Sequence, residues 1–313
     1  MTARPGFDVQ GHRGARALKP ENTFPSFEVA LDVGATSIET DVHLTADDVP
    51  VLVHDPWVHE GIFRKIGNGV PETCTRPLVR QLALDQLRGY SADRNPDPVR
   101  FPRQNADVTP LAQMFAEARG IDPFTPPTLA ELLEFVAAYA GDIGESLGKN
   151  AEQRQRARLL RIDLELKRVP FHREYIGDDF DGVRPGTFER RVVEALHRAA
   201  ALTRSSVRSF DHRCLTAIRV LEPDLATAVL LSGTTPIDPG WLSASVSGSS
   251  YCPDYTFLDE SQVKQARRHG LRVLPWTVND ADAWRTLLSW GVDGITTDEP
   301  GQLAAMLQHG LCQ

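Results

Sequence analysis

The sequence predicts a (β/α)8 TIM barrel, and three observations carry that prediction. Strand-like and helix-like segments alternate along the chain, the pattern of parallel strands joined by crossover helices. The strands number about eight, one barrel's complement. No Gly-x-Gly-x-x-Gly follows the first strand, which argues against an open dinucleotide-binding sheet.

The elements follow in order. Phe7–Gly11 predicts a short strand, and Thr23–Val33 a helix with Phe24, Phe27, Val29, Ala30 and Leu31 as its apolar set. Ser37–Leu44 alternates strongly, and Val49–His54 is a very apolar strand. Thr128–Ala140 has leucines at helical spacing, Gly141–Gln155 reads as a mobile polar loop, and Leu159–Leu166 is a strand. Phe188–Ala201 predicts a helix, Ser205–Phe210 a strand, Leu215–Leu221 a helix and Leu225–Leu231 a strand. Ala244–Ser250 is a weak element beside them. Ser261–His269 is a helix ended by Gly270, a C-terminal glycine cap. Leu271–Val278 is a strand, Ala281–Trp290 a helix ended by Gly291, Gly294–Thr297 the last strand and Gly301–Gln308 a closing helix.

The stretch from about Asp55 to Pro127 interrupts this alternation. It is rich in Pro, Gly, Arg and Asn, with one helical patch near Leu111–Ala118. A loop that long is a functional insertion or a lid. The 313 residues alone suggest two domains. Setting aside roughly 70 residues leaves about 240, the size of one barrel. The chain is therefore expected to be a single barrel over 1–313, with an insertion at about 56–126 after the third strand.

Hydrophobic residues make up 41% of the chain and charged ones 24%, which favours a packed core over disorder. The net charge of -8 argues against a sequence-independent nucleic-acid binder, which needs a basic face. No stretch approaches 18 uninterrupted apolar residues, so no membrane span is expected. Cys74, Cys214, Cys252 and Cys312 are scattered, without a CxxC pair. This predicts reduced thiols and a cytoplasmic protein, or a periplasmic one if a leader has been removed.

Strand parity points to chemistry. Residues two apart share a strand face, so Glu39, Asp41 and His43 face together, and so do Asp163, Glu165 and Lys167. Carboxylates aimed into one site repel unless a cation bridges them or one stays protonated. Oxygen-only ligands suit Mg2+ or Ca2+. The bland alternatives are one interior carboxylate tied to a lysine, and Lys167 as the salt-bridge partner of Asp163. His12 and His54 end predicted strands, where a barrel gathers catalytic residues, and can divide general acid and base work. His43 has a weaker case. His59, His172, His197, His212, His269 and His309 read as solvated or local packing residues.

Gly11–Pro56, with His12-Arg13-Gly14, Pro20-Glu21-Asn22-Thr23, Glu39-x-Asp41 and His54-Asp55-Pro56, resembles the opening of the glycerophosphodiester phosphodiesterase family. Asp163-Leu-Glu-Leu-Lys167 resembles its second metal-ligand strand, and Ser209-Phe210, Trp276-Thr-Val-Asn279 and Gly291–Asp298 resemble its later strand ends. The likeness covers nearly the whole chain outside the insertion. It implies a barrel hydrolase of phosphodiesters that uses one divalent cation, Mg2+ or Ca2+, held by Glu39, Asp41 and Glu165. It further implies His12 and His54 as the acid–base pair, Arg13 and Lys167 on the phosphate, and Phe210 and Trp276 lining the alcohol portions.

The activity so implied is metal-dependent hydrolysis of small-molecule glycerophosphodiesters to glycerol 3-phosphate and an alcohol, through a cyclic phosphate. The sequence leaves open a lysophospholipid or sphingolipid phosphodiesterase on the same barrel, or a barrel that binds phosphodiesters without turnover. It fixes neither the head group nor the oligomeric state.

Overall fold

A computed structural model describes residues 6–67 and 76–310, without the side chains of 309 and 310. Cys74, Cys312 and the side chain of His309 thus lie outside the described set. Eight parallel strands form the core: β1 Asp8–His12, β2 Ser37–Leu44, β3 Arg161–Leu166, β4 Ser205–Ser209, β5 Ala226–Leu231, β6 Ser250–Pro253, β7 Arg272–Val273 and β8 Gly294–Thr297. Each pairs with the next from β1 to β7, and β8 pairs with β1. The seam between the two-residue β7 and β8 is closed by backbone hydrogen bonds, Asp293 to Val273 at 2.9 Å and Thr296 to Pro275 at 3.0 Å. The expected TIM barrel is therefore present.

The alternation on β2 does what a barrel strand requires. All eight of its residues are buried, because helices cover one face and the barrel interior the other. Ile38, Val42 and Leu44 join the outer core with Phe24 and Phe27 from the helix Phe24–Asp32. That helix begins as its sequence dictates: Thr23 caps it by accepting from the Ser26 amide, and Pro25 occupies its first turn.

The set of staves differs from the sequence reading in one place. Pro50–Leu52 is a strand, third in chain order, but it runs antiparallel to the end of β2, with Val42 opposite Leu52 and Leu44 opposite Pro50. The sixth stave is instead β6, which follows the helix Pro239–Ala244. The insertion therefore lies between the second and third staves. An apolar run reads alike as a barrel stave or as a hairpin strand under a covering layer. Here Val51 and Val53 pack beneath Val58, Ile62 and Phe63 of the insertion.

Gly141–Gln155 is not a loop. It contains the helices Asp142–Ser146 and Ala151–Leu159. The second is set by its cap, where the Asn150 side chain accepts from the Gln153 amide at 2.8 Å and Gln153 reciprocates at 2.9 Å. Only Ala157 of that helix is buried, so there is no apolar stripe for periodicity to reveal.

The insertion carries a two-stranded ribbon, Arg64–Lys65 with Tyr90–Ser91, and the helix Pro110–Glu117. That helix is anchored on the barrel. Phe115 packs on Phe24 and Phe135 with ring centroids 5.0 and 5.2 Å away. The buried Glu28 carboxylate accepts from the amides of Leu111 and Ala112 at its N-terminus.

The barrel interior is divided by chemistry. Gln10, Asp163, Arg208 and Thr296 form a buried polar network on the β1, β3, β4 and β8 side. Ala228, Leu230, Cys252 and Leu274 form an apolar cluster on the β5–β7 side, with Trp276 packed against it.

Candidate active site

The C-terminal ends of the staves surround a cleft of about 490 Å³. On its floor, β2 supplies Glu39 and Asp41, and Asp41 lies in register with Glu165 of β3. One oxygen from each of these three carboxylates lies within 4.8 Å of the others. Burial, and then the charge of Asp41, pushes Glu39 above the usual carboxylate range. Burial alone would lift Asp41 too, but Arg13, His54, Lys167 and a hydrogen bond from Asn22 outweigh it and hold Asp41 well below that range. Asp41 Oδ1 is buried and makes no well-formed hydrogen bond among the described residues, its one close cation being the Lys167 ammonium at 3.3 Å. A crowded, oxygen-only set of three carboxylates fits a hard divalent cation.

Two cations flank this cluster. Arg13 stands in the left-handed region at φ 53°, ahead of Gly14 at φ 89°. A side chain on Gly14 would meet the Ser26 hydroxyl at 2.4 Å, so the turn after β1 requires glycine. The turn aims the Arg13 guanidinium at Glu21 (2.8 Å) and at Asp41 (3.1 Å). Glu21 and Asn22 of the Pro-Glu-Asn-Thr run are thus braces: Asn22 donates to Asp41 at 3.0 Å and accepts from Thr40 at 2.7 Å. Lys167 pairs with Glu165 at 2.7 Å and Asp41 at 3.3 Å. Its partner is not Asp163, which is taken by Arg208, Gln10 and Ser206.

The two histidines arrive by different routes. His12 ends β1, while His54 is brought back to the rim by the antiparallel hairpin, whose Val53 amide bonds the Asp41 carbonyl at 3.1 Å. Each imidazole is held at Nδ1 by a carboxylate: His12 by Asp298 at 2.6 Å and His54 by Asp55 at 2.7 Å. An ionised carboxylate only accepts, so Nδ1 carries the proton and Nε2 is the nitrogen left able to exchange one. His12 Nε2 is 4.0 Å from Glu39. Burial depresses His12 to about 4 against the opposing pull of Asp298, which leaves a neutral imidazole at neutral pH.

His43 has the right parity but sits too far along the strand. It lies opposite Val51 of the hairpin, with its Nε2 3.1 Å from the His54 carbonyl. Burial lowers it to about 3, so it is a neutral strut under His54. His59, read as a solvated or packing residue, binds the second oxygen of Asp55 at 2.8 Å.

The far wall carries the cleft's apolar side chains, with Asp254, Thr256 and Thr277 among them. Phe210 and Trp276 meet edge to face with centroids 5.6 Å apart, and Leu230 and Tyr255 continue the surface. Sequence reasoning did not assign Asp298, Asp55, Arg16 or Arg100, which all stand in or beside the cleft. Asp298 closes the last strand-end run, a position that in a barrel signals function. Asp55 adjoins His54. Arg100 carried no signal, since its place depends on how the insertion folds back.

This geometry defines a TIM-barrel enzyme built to receive an anion. The sequence model of the glycerophosphoryl diester phosphodiesterase family matches residues 12–302, and the chain belongs to that family of phosphoric diester hydrolases. A glycerophosphodiester phosphodiesterase of Caldanaerobacter subterraneus is 26% identical over 96% of this chain and 98% of its own. Among solved structures, a Silicibacter pomeroyi protein provisionally assigned as a glycerophosphoryl diester phosphodiesterase is 28% identical with a TM-score of 0.77, covering 99% of this chain and 96% of that one. An Oleispira antarctica phosphodiesterase, solved with the product sn-glycerol-3-phosphate, shares the fold at 21% identity and TM-score 0.67, over 97% and 96% of the two chains. Among the described residues, no helix is long and apolar enough to cross a membrane.

Proposed function

We propose that this protein hydrolyses glycerophosphodiesters to glycerol 3-phosphate and an alcohol by His12/His54 acid–base catalysis. The observation that carries this reading is the pairing of both imidazoles with carboxylates at Nδ1, beside a three-carboxylate cluster and two cations. The relatives' names and the product bound by the Oleispira antarctica enzyme support the substrate class.

Glu39, Asp41 and Glu165 would hold the divalent cation, Mg2+ or Ca2+, which supplies positive charge against the phosphoryl oxygens. Arg13 and Lys167 bind the same phosphate through charge-assisted hydrogen bonds. Phe210 and Trp276 exclude water from one flank. The glycerol 2-hydroxyl, tethered next to phosphorus, is the nucleophile. One imidazole takes its proton as the new P–O bond forms. The other gives a proton to the departing alkoxide as the old P–O bond breaks. Water then opens the cyclic phosphate with the two roles reversed, which yields glycerol 3-phosphate and restores both histidines.

The test is to incubate the protein with glycerophosphocholine, glycerophosphoethanolamine, glycerophosphoglycerol and micellar lysophospholipid, each with Mg2+, Ca2+ or a chelator, and follow products by phosphorus NMR. Glycerol 3-phosphate and free alcohol from the soluble diesters are expected. Release from lysophospholipid alone would overturn the substrate class, and full activity in exhaustively chelated protein would overturn the cation site.

A further inference from the structure

The insertion sends a strap over the active-site rim. Its Phe101 is buried, and two guanidiniums lie over its ring, Arg16 at 4.8 Å and Arg100 at 5.0 Å from the centroid. Gln104 donates to the Arg16 carbonyl at 2.7 Å, and the Asn105 amide to the Leu18 carbonyl at 3.1 Å. The strap is therefore fixed on the turn that follows β1, and both arginines line the cleft.

Neither guanidinium is used up by its neighbours. Arg100 reaches Asp298 through one terminal nitrogen at 3.1 Å, and its side chain is 49% exposed. Arg16 meets Glu21 through Nε at 2.7 Å, and its terminal nitrogens make no hydrogen bond among the described residues. Stacking on one ring holds both planes in place while leaving donors open. The pair stands over β8 and β1, diametrically opposite in strand order to Phe210 and Leu230 over β4 and β5. A phosphodiester on the floor has two substituents. One meets the wall that carries Phe210 and Leu230, and the other meets two fixed cations that the chemistry at phosphorus does not use.

We infer that Arg16 and Arg100 form a second anion subsite, which selects glycerophosphodiesters whose alcohol portion carries its own phosphate or carboxylate. The inference rests on the hydrolysis proposed above and adds its head-group class. A neutral head group leaves the pair facing water, and a cationic one such as choline is repelled.

The experiment compares kcat/KM for glycerophosphoglycerol, for the same diester bearing a phosphate on its distal glycerol, and for glycerophosphocholine, in the wild type and in Arg100→Gln and Arg100→Lys. The phosphate-bearing diester is expected to be preferred over glycerophosphoglycerol by about 10-fold or more in the wild type, the effect of one or two charge-assisted hydrogen bonds. Arg100→Gln should cut that ratio by about 10-fold, and Arg100→Lys should keep part of it. Because the ratio is the readout, any loss that Arg100→Gln causes through Asp298 affects both substrates and divides out. A ratio unchanged by Arg100→Gln, or a wild type that prefers choline, overturns the subsite while hydrolysis itself stands. In parallel, calorimetry compares glycerol 1,3-bisphosphate with glycerol 3-phosphate. Tighter binding of the bisphosphate that Arg100→Gln abolishes supports the subsite even if no diester is cleaved, and equal binding of the two overturns it.

Discussion

Asp298, at the end of the last barrel strand, accepts the Nδ1 proton of His12 at 2.6 Å. The two residues are 286 positions apart, and they meet because β8 closes the barrel against β1. Asp298 is itself held by Asn279 at 2.6 Å and by Arg100, and its pKa is pulled well down by His12 and Arg16 despite its burial.

This relationship makes Asp298 a positioning residue for the imidazole. Asp298→Asn should lower kcat by about 10²–10⁴, with little change in KM, because the amide favours the wrong tautomer. His12→Ala and His54→Ala should each fall in the same range. Steady-state kinetics with saturating cation and substrate tests all three. Near-wild-type turnover in either histidine variant would remove that residue from the proton-transfer pair.

The carboxylate cluster can be tested without turnover. A cation at about 100 times its dissociation constant should stabilise the fold by about 2.7 kcal/mol, raising the melting temperature by several degrees in a chain of this size. Asp41→Asn removes an oxygen anion from the set and should abolish the shift. Differential scanning calorimetry of chelated and Mg2+- or Ca2+-loaded protein gives the answer. An equal shift in wild type and Asp41→Asn would place the ion elsewhere.

Buried His43 makes stability depend on pH. Its pKa is about 3 in the fold against 6.5 for a free imidazole. Between those values the unfolded chain binds more protons, so the fold loses stability as pH falls through that window, at about 1.4 kcal/mol per pH unit. Above 6.5 the contribution is constant. Urea unfolding at pH 7.5 and 5.5 should show a smaller loss for His43→Gln than for the wild type, by about 1 kcal/mol. Equal losses would show that His43 titrates normally.

Phe115 reports on the tie between insertion and barrel. Its ring completes a three-way contact with Phe24 and Phe135. Phe115→Ala should cost about 3–5 kcal/mol and lower the midpoint of one cooperative urea transition. Two separate transitions would instead make the insertion an independently folding unit.

The sequence was enough to reach the barrel, since alternating strand and helix periods leave few topologies. It also determined the facing of Glu39 with Asp41, because side-chain parity on a strand is local geometry. It did not separate the hairpin strand Pro50–Leu52 from a stave, because one apolar run satisfies either burial. It missed the helix Ala151–Leu159, whose capping box rather than an apolar stripe sets it. Only the folded chain shows that Asp163 pairs with Arg208 and leaves Lys167 to the cleft, that Asp298 holds His12, and that the strap sets Arg16 and Arg100 over the Phe101 ring. Those are contacts between strand ends and loops far apart in the chain. They are fixed by how the barrel closes and the insertion folds back, which no local pattern records.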